Sequence, residues 1–213
     1  MNFAEHLARF KAGVYSTYNL GQIPDWIEAK TKLRGRLYSF KNHEFQKAVL
    51  ADTSQEVNCQ KCSQIGMTEA QGRWSLGACR VFPGFSVIYT MPYSNDAALL
   101  CRTRVDPIIS ESPDLKGSVN PDLNNSEVKQ FGMSFIYFRG TQGNTQALST
   151  PADAIVSDEI DRSSQAILDQ YTSRLTHSAW KLRRNFSTPT VDGYGIAAKM
   201  DTSRRFRNLC ICN

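Results

Sequence analysis

An α/β fold built on a mostly parallel sheet, covered by helices on both faces, is predicted by three observations. Short β-rich runs alternate with helical segments along the chain. The central runs FSVIYTM (85–91), GMSFIYF (132–138) and AIVS (154–157) are apolar at successive positions, as in strands buried on both faces. The residues with chemical capability follow these runs directly, at the edge where open parallel sheets bind ligands. With 213 residues, 41% of them apolar, the chain is long enough to bury a real core.

The elements follow in order. Residues 1–42 read as a helical or irregular lead-in and 43–213 as the body. IPDWIEAKTK (23–32) starts a helix near Pro24–Asp25, with proline at an early position and acid in the first turn. Val57–Gln60 is a short strand, and Thr68–Arg80 a helix weakened by Gly72 and Gly77. Phe85–Met91 is a buried strand, and Asn95–Ser110 a helix capped by Ser94 or Asn95. Ser112–Gln130, rich in Pro, Asn, Asp and Ser, is expected to be a surface excursion. Gly132–Phe138 and Ala154–Ser157 are strands, Arg162–Leu175 a helix, and Leu182–Phe186 a last strand ended by Ser187-Thr188-Pro189. The ligand edge of such a sheet would carry Lys61–Glu69, Pro92–Ser94, Gly140–Thr145, Asp158–Asp161 and Ser187–Pro189.

No run of about 18 apolar residues is present, so no membrane span is expected. MNFAEHLARFKAG has no apolar core of the kind a secretion signal needs. That predicts a reducing compartment, where the six cysteines are free or metal-bound rather than paired. Net charge is +5, and basic residues gather at Lys30, Lys32, Arg34 and Arg36, at Lys181, Arg183 and Arg184, and at Arg204, Arg205 and Arg207. Each cluster reads equally as a solvated face; three together lean toward a nucleic acid.

NCQKCSQIGMTEAQGRW (58–74) admits two readings. Cys59-x-x-Cys62 has zinc spacing, but a structural zinc site takes four ligands, and Cys210-x-Cys212 lacks the usual gap. The alternative is a phosphate-binding loop, with Gly66 for close approach, Thr68 as a magnesium hydroxyl at a helix start, and a lysine over the phosphates. Met67 stands where that lysine usually does. Lys61, six residues earlier, has the reach to cross the loop mouth.

AIVSDEID (154–161) supplies the other half of a nucleotide hydrolase. It is an apolar strand ending in Asp158 for magnesium, with Glu159 as base for the attacking water. Alone it reads equally as an acidic helix start. About 90 residues after Gly66-Met67-Thr68 it becomes specific.

From about residue 24 to 213 the chain resembles the ATPase domain of the large terminase subunit of tailed bacteriophages. HEFQKAVL (43–50) is similar to the adenine-recognition segment, KCSQIGMTE (61–69) to a deviant Walker A loop with an early lysine, and VIYTMPYSNDAALLCRTRVDPIISESP (87–113) to the strand, proline and long helix with a basic patch. FRGTQGNTQALSTPADAIVSDEIDR (138–162) is similar to the Walker B region and NFSTPT (185–190) to the coupling motif. The resemblance implies a P-loop NTPase of the ASCE type with ATP and Mg²⁺ as cofactors. It implies Gln46 at adenine, Lys61, Cys62, Ser63, Gln64, Ile65, Gly66, Met67, Thr68 and Glu69 at the phosphates, Thr68 and Asp158 at magnesium, Glu159 as base and Thr188 as γ-phosphate sensor. Arg102, Arg104, Arg139 and Arg162 are candidates for the arginine that stabilises the transferring phosphoryl group. Implied partners are double-stranded DNA, the portal protein, the small terminase subunit and further copies in a pentameric ring, in the host cytoplasm. Large terminases also carry a nuclease; the chain shows no further acidic cluster, so no nuclease activity is expected of it. A helicase-like P-loop ATPase, or a zinc-bound nucleic-acid-binding module using Cys59 and Cys62, are the competing readings.

Overall fold

The computed structural model of the chain describes residues 18–142 and 150–207. A helix α1 (Ile23–Lys30) opens it, with Pro24 in its first turn, Asp25 beside it and Lys30 at its end, all favourable to the helix dipole. One carbonyl of its last turn is satisfied by Thr31, whose hydroxyl donates to Ile27 O at 2.7 Å. A small hairpin of β1 (Lys32–Leu33) and β2 (Arg36–Leu37) follows, then α2 (Glu44–Ala51).

The body is a seven-stranded sheet. Its strands are β3 (Glu56–Gln60), β4 (Ser86–Met91), β5 (Val119–Asn124), β6 (Val128–Phe131), β7 (Ser134–Gly140), β8 (Ala154–Asp158) and β9 (Leu182–Ser187). In space they run β3-β9-β8-β4-β7-β6-β5. The first five are mutually parallel, and β6 and β5 complete the edge in antiparallel pairing. The strand after β8 in sequence is thus inserted between β3 and β8.

Alternation along the strands shows why both faces must be covered. Val87 and Tyr89 of β4, and Ala154 and Val156 of β8, enter one core with α3 (Met67–Val81) and α1. Ile88 and Ile155 point the other way, onto Ile167 and Tyr171 of α7 (Gln165–Thr172). β8 is buried at every position, Ser157 and Asp158 included.

Several expectations are corrected. Ser112–Gln130 is not a plain surface excursion. It holds a short α6 (Pro113–Lys116), then β5, and most of β6. The buried Lys129 of β6 pairs with Asp106 at 2.6 Å, and a sequence count of polar residues cannot foresee that. The helix expected at 95–110 runs as α4 (Ser94–Leu100), a π-helical turn (Cys101–Val105) and α5 (Asp106–Glu111). Pro107 lacks the N–H that an ordinary turn would use there. The glycines of α3 do not break it. A Cβ on Gly77 would lie 3.0 Å from both Ile23 and Trp26, so glycine is what lets α1 lie against α3. The cluster at 181–184 does not form a solvated basic face. Arg184 is wholly buried, its guanidinium 4.4 Å from the Trp74 ring centroid, and it donates to the carbonyls of Val49 and Asp52 and to Gln71.

Candidate active site

Every parallel strand delivers its C-terminal end to one edge. Lys61 N donates to Ser187 O at 3.0 Å, joining the ends of β3 and β9, and Glu159 N donates to Phe186 O at 2.9 Å, joining β8 to β9. Thr141 N donates to the carbonyls of Met91 and Pro92 beyond β4 and β7. Residues 143–145 of the expected edge, with Cys210 and Cys212, lie outside the described residues.

Between β3 and α3 the chain turns at two left-handed residues, Gln64 (φ +61°) and Gly66 (φ +74°). Left-handed residues in a loop are what turn successive N–H groups to one side, toward an anion. Gly66 has a second reason to be glycine: a Cβ would stand 2.8 Å from Gln46 Nε2. Gln46, on α2, donates from Nε2 to Ile65 O at 2.6 Å, tying the loop to that helix. Cys62, Ser63 and Gln64 are exposed. The Met67 side chain is buried in the core, so only its backbone faces the loop.

Two contacts clasp loop to acid turn. Lys61 Nζ meets Glu159 Oε1 at 2.7 Å, and Thr68 Oγ1 donates to Asp158 Oδ2 at 2.7 Å. Lys61 is buried and its partner partly exposed. Burial pushes the Asp158 carboxyl up from 3.8 to about 6, against the pull of the Thr68 hydrogen bond and of Lys61. Its Oδ2 also accepts from the Tyr89 hydroxyl at 3.4 Å, while Oδ1 is buried with no hydrogen-bond partner. A buried carboxylate oxygen without a partner, beside a threonine hydroxyl, is a hard-oxygen donor set suited to magnesium. Glu159 is left-handed (φ +54°) without being glycine, a strained conformation held by hydrogen bonds at its N–H and carbonyl.

Thr188 is half-buried just past β9, and its carbonyl accepts from Ser187 Oγ. Asp161, expected at the ligand edge but given no role by the sequence, ties this segment together. Its Oδ2 accepts from Thr190 N at 2.8 Å, and its Oδ1 from Ile196 N at 2.8 Å, at the start of α8 (Gly195–Asp201). Beside the loop lies a cleft of about 700 Å³ lined by Gln46, Gly66, Glu69, Tyr38, His43, Arg34, Arg36 and Arg104. Of the arginine candidates, Arg104 reaches this cleft. Arg102 and Arg162 are exposed, and Arg139 is half-buried, donating to the carbonyls of Glu127 and Phe138. Tyr38 carried no motif, Arg34 and Arg36 were read only as part of a basic cluster, and His43 only as the first residue of HEFQKAVL; the fold brings all four to the cleft. Among the described residues no group of three or more His, Cys, Asp or Glu could hold a metal. Burial pushes the Cys59 thiol up, away from the thiolate that zinc takes.

A glycine-turned loop and an acid-tipped strand at the same sheet edge, with one strand inserted between theirs, is the layout of a P-loop NTPase of the ASCE class. Within that class the chain belongs to a defined family. The profile described as "Phage terminase large subunit gpA, ATPase domain" matches residues 32–205, well over half of its length. Solved structures with a similar fold include the HK97 bacteriophage large terminase (TM-score 0.71, 14% identity, 85% of this chain and 40% of that one). The chain thus spans less than half the length of that terminase. The large terminase ATPase domain of Thermus phage P74-26 gives 0.59 at 14% identity, over 75% of this chain and 71% of that one. The large terminase of another thermophilic bacteriophage gives 0.55 at 12% identity, over 70% of this chain and 37% of that one. At such identities the similarity speaks for the fold. Comparison with curated proteins gave no sequence match.

Proposed function

We propose that this chain binds ATP with magnesium at the loop and cleft, hydrolyses it, and acts as the motor of a terminase that drives double-stranded DNA into a procapsid. The observation that carries the reading is the double clasp, Lys61 on Glu159 and Thr68 on Asp158, each at 2.7 Å. It supports the reading because the four side chains that would serve as cation, base, magnesium hydroxyl and magnesium carboxylate meet in two direct contacts.

Lys61 serves two anions in turn. Drawn onto the β- and γ-phosphates, it neutralises their charge and releases Glu159 to take a proton from the attacking water. The water oxygen then bonds to the γ-phosphorus, and the bond to the bridging oxygen breaks, leaving that oxygen on ADP. Backbone N–H groups over 62–69 cradle the phosphates at the start of α3. Thr68 and Asp158 would hold magnesium, which would draw charge from the phosphoryl oxygens. Thr188 senses the γ-phosphate, and Asp161 passes its position to Thr190 and α8. Arg102, Arg104, Arg139 and Arg162 are the candidates for the arginine that stabilises the transferring phosphoryl group, within the chain or across a subunit boundary, and Arg104 is favoured by its position on the cleft wall. The chain works on the portal protein with the small terminase subunit, in a pentameric ring in the host cytoplasm, with residues 43–213 as its catalytic body and 1–42 as lead-in.

The test is titration calorimetry of Mg-ATP with wild type, Lys61→Ala and Glu159→Gln, folding checked by circular dichroism. Lys61→Ala should weaken binding at least tenfold, as expected for a lost charge-assisted contact. Glu159→Gln should still bind while hydrolysis falls about 10²- to 10⁴-fold. Binding untouched by Lys61→Ala removes the lysine from its role. No ATP binding by the folded wild-type chain overturns the reading.

A further inference from the structure

Glu159 holds a backbone conformation that glutamate does not choose for itself. Its φ of +54° is left-handed, and a residue other than glycine keeps that only where its surroundings impose it. Its own bonds impose part of it. Its N–H donates to Phe186 O at 2.9 Å, and its carbonyl accepts from Arg162 N at 3.0 Å and from Ser163 Oγ at 3.3 Å. The last two lie within the acid turn, so they shape the turn without fixing it to anything else.

The two residues after Glu159 fix the turn (Ile160–Arg162) to the rest of the fold. Ile160 is buried in a cluster with Ile196 of α8 and Leu168 of α7. An apolar contact carries no direction, so it does not stop the turn from rotating. Asp161 supplies the direction. Its Oδ2 accepts from Thr190 N at 2.8 Å and from Thr190 Oγ1 at 3.1 Å, and its Oδ1 accepts from Ile196 N at 2.8 Å. Gly195, left-handed at φ +54°, leaves room for this joint: a Cβ there would stand 2.5 Å from Asp161 Oδ1. The far side of the joint is itself anchored. Lys199 of α8 pairs with Glu56 at 3.0 Å, and Ser203 accepts from Asn58 Nδ2 at 3.0 Å, both on β3.

The joint requires a carboxylate. The N–H groups of Thr190 and Ile196 can only donate, and they approach opposite oxygens. An asparagine has one acceptor atom, so it must set its NH₂ against one of these two N–H groups. One half of the joint then breaks whichever way the amide turns.

We propose that Asp161 is a positioning residue for hydrolysis: its three-bonded carboxylate seats the acid turn on Thr190 and α8, and so sets where Glu159 stands. The inference rests on Glu159 acting as base, as proposed above. A base works only within hydrogen-bond reach of the proton it takes, and a small misplacement costs up to about 100-fold in rate. ATP affinity comes from the loop and Lys61, which Asp161 does not touch, so it stays.

The experiment measures Mg-ATP affinity and the number of binding sites by calorimetry, and turnover per binding site at saturating ATP, for wild type, Asp161→Asn and Gly195→Ala. A partly unfolded variant shows fewer sites, not slower ones, so a merely structural role does not move turnover per site. Asp161→Asn should lower that turnover at least about tenfold while affinity changes by less than about threefold. Gly195→Ala pushes on the carboxylate from the other side and leaves its chemistry intact. It should show the same split, and it decides where Asp161→Asn does not fold. Turnover per site equal to wild type in either folded variant overturns the proposal. So does an affinity that falls as far as turnover, which would mean that the whole pocket is disturbed. In both of those cases ATP binding and hydrolysis by wild type stand. A wild type that binds no ATP, or binds it without hydrolysing it, overturns this proposal and the function reading together.

Discussion

Asp158 shows how one residue divides stability from function. Its carboxyl is held up near pH 6 chiefly by burial, so the folded chain keeps a proton that the unfolded chain has released. With the folded value above the unfolded one, stability from this group is full below about pH 4 and is lost as pH rises through about 6. Holding the proton until about 6 rather than 3.8 corresponds to about 3 kcal/mol. Asp158→Asn should therefore raise the melting temperature of metal-free protein at pH 8, measured in EDTA, and flatten its dependence between pH 4 and 7. The same variant should lose magnesium-dependent hydrolysis. A melting temperature at pH 8 equal to or below wild type would contradict the burial argument. Gly66 is constrained twice, by its left-handed backbone and by the Gln46 amide 2.8 Å from where a Cβ would stand. Gly66→Ala should cost about 1–2 kcal/mol in urea unfolding and weaken ATP binding more than Ser63→Ala at the exposed part of the loop. At this scale the acid pair was legible because strand-then-acid is a local pattern. Tyr38 was not, since a lone tyrosine has no local signature.

Elements decide what a cluster of like residues means. Lys181, Arg183 and Arg184 are near neighbours in sequence, but strand alternation separates their fates. Arg183 turns to Glu56 at 2.7 Å, and Arg184 turns into the core against α2 and α3. There it donates to carbonyls at the C-terminal end of α2, where a cation also meets the helix dipole favourably. Arg184→Lys keeps the charge but cannot reach the same three acceptors, and should destabilise the fold by about 3 kcal/mol in denaturant unfolding. DNA affinity per folded molecule should not change. A variant as stable as wild type that binds DNA less would restore the nucleic-acid reading of that cluster. A helix over 95–110 was legible in the sequence, but its π turn was not. That turn stands just before Pro107, which has no N–H for an ordinary helical bond, and it carries Arg104 at the cleft and Val105 in the core.

The whole molecule is a sheet whose chemistry lies on one edge, with exposed cations on the flanking hairpin and near the end of the described chain. Grip on DNA phosphates would be sequence-independent and would weaken steeply with salt. DNA-stimulated hydrolysis should fall severalfold between 50 and 200 mM salt, whereas ATP binding measured without DNA should change far less. If an arginine from a neighbouring copy completes the site, specific activity should also rise with protein concentration. A salt-independent stimulation would argue against phosphate contacts. Sequence alone showed most of the order of strands and helices, though not β5 and β6, together with the glycine-bearing loop with its early lysine and the acid-tipped strand. These are written in hydrophobic periodicity and in residue types at short spacing, and short spacing survives in one dimension. Tertiary structure alone decided that β9 inserts between β3 and β8, that Lys61 reaches Glu159, that Arg184 is buried, and that Gln46 is bonded to Ile65 O of the loop. Each of these depends on which distant segments pack together. That choice is made by burying the apolar faces of many elements at once, and no single stretch of the chain encodes it.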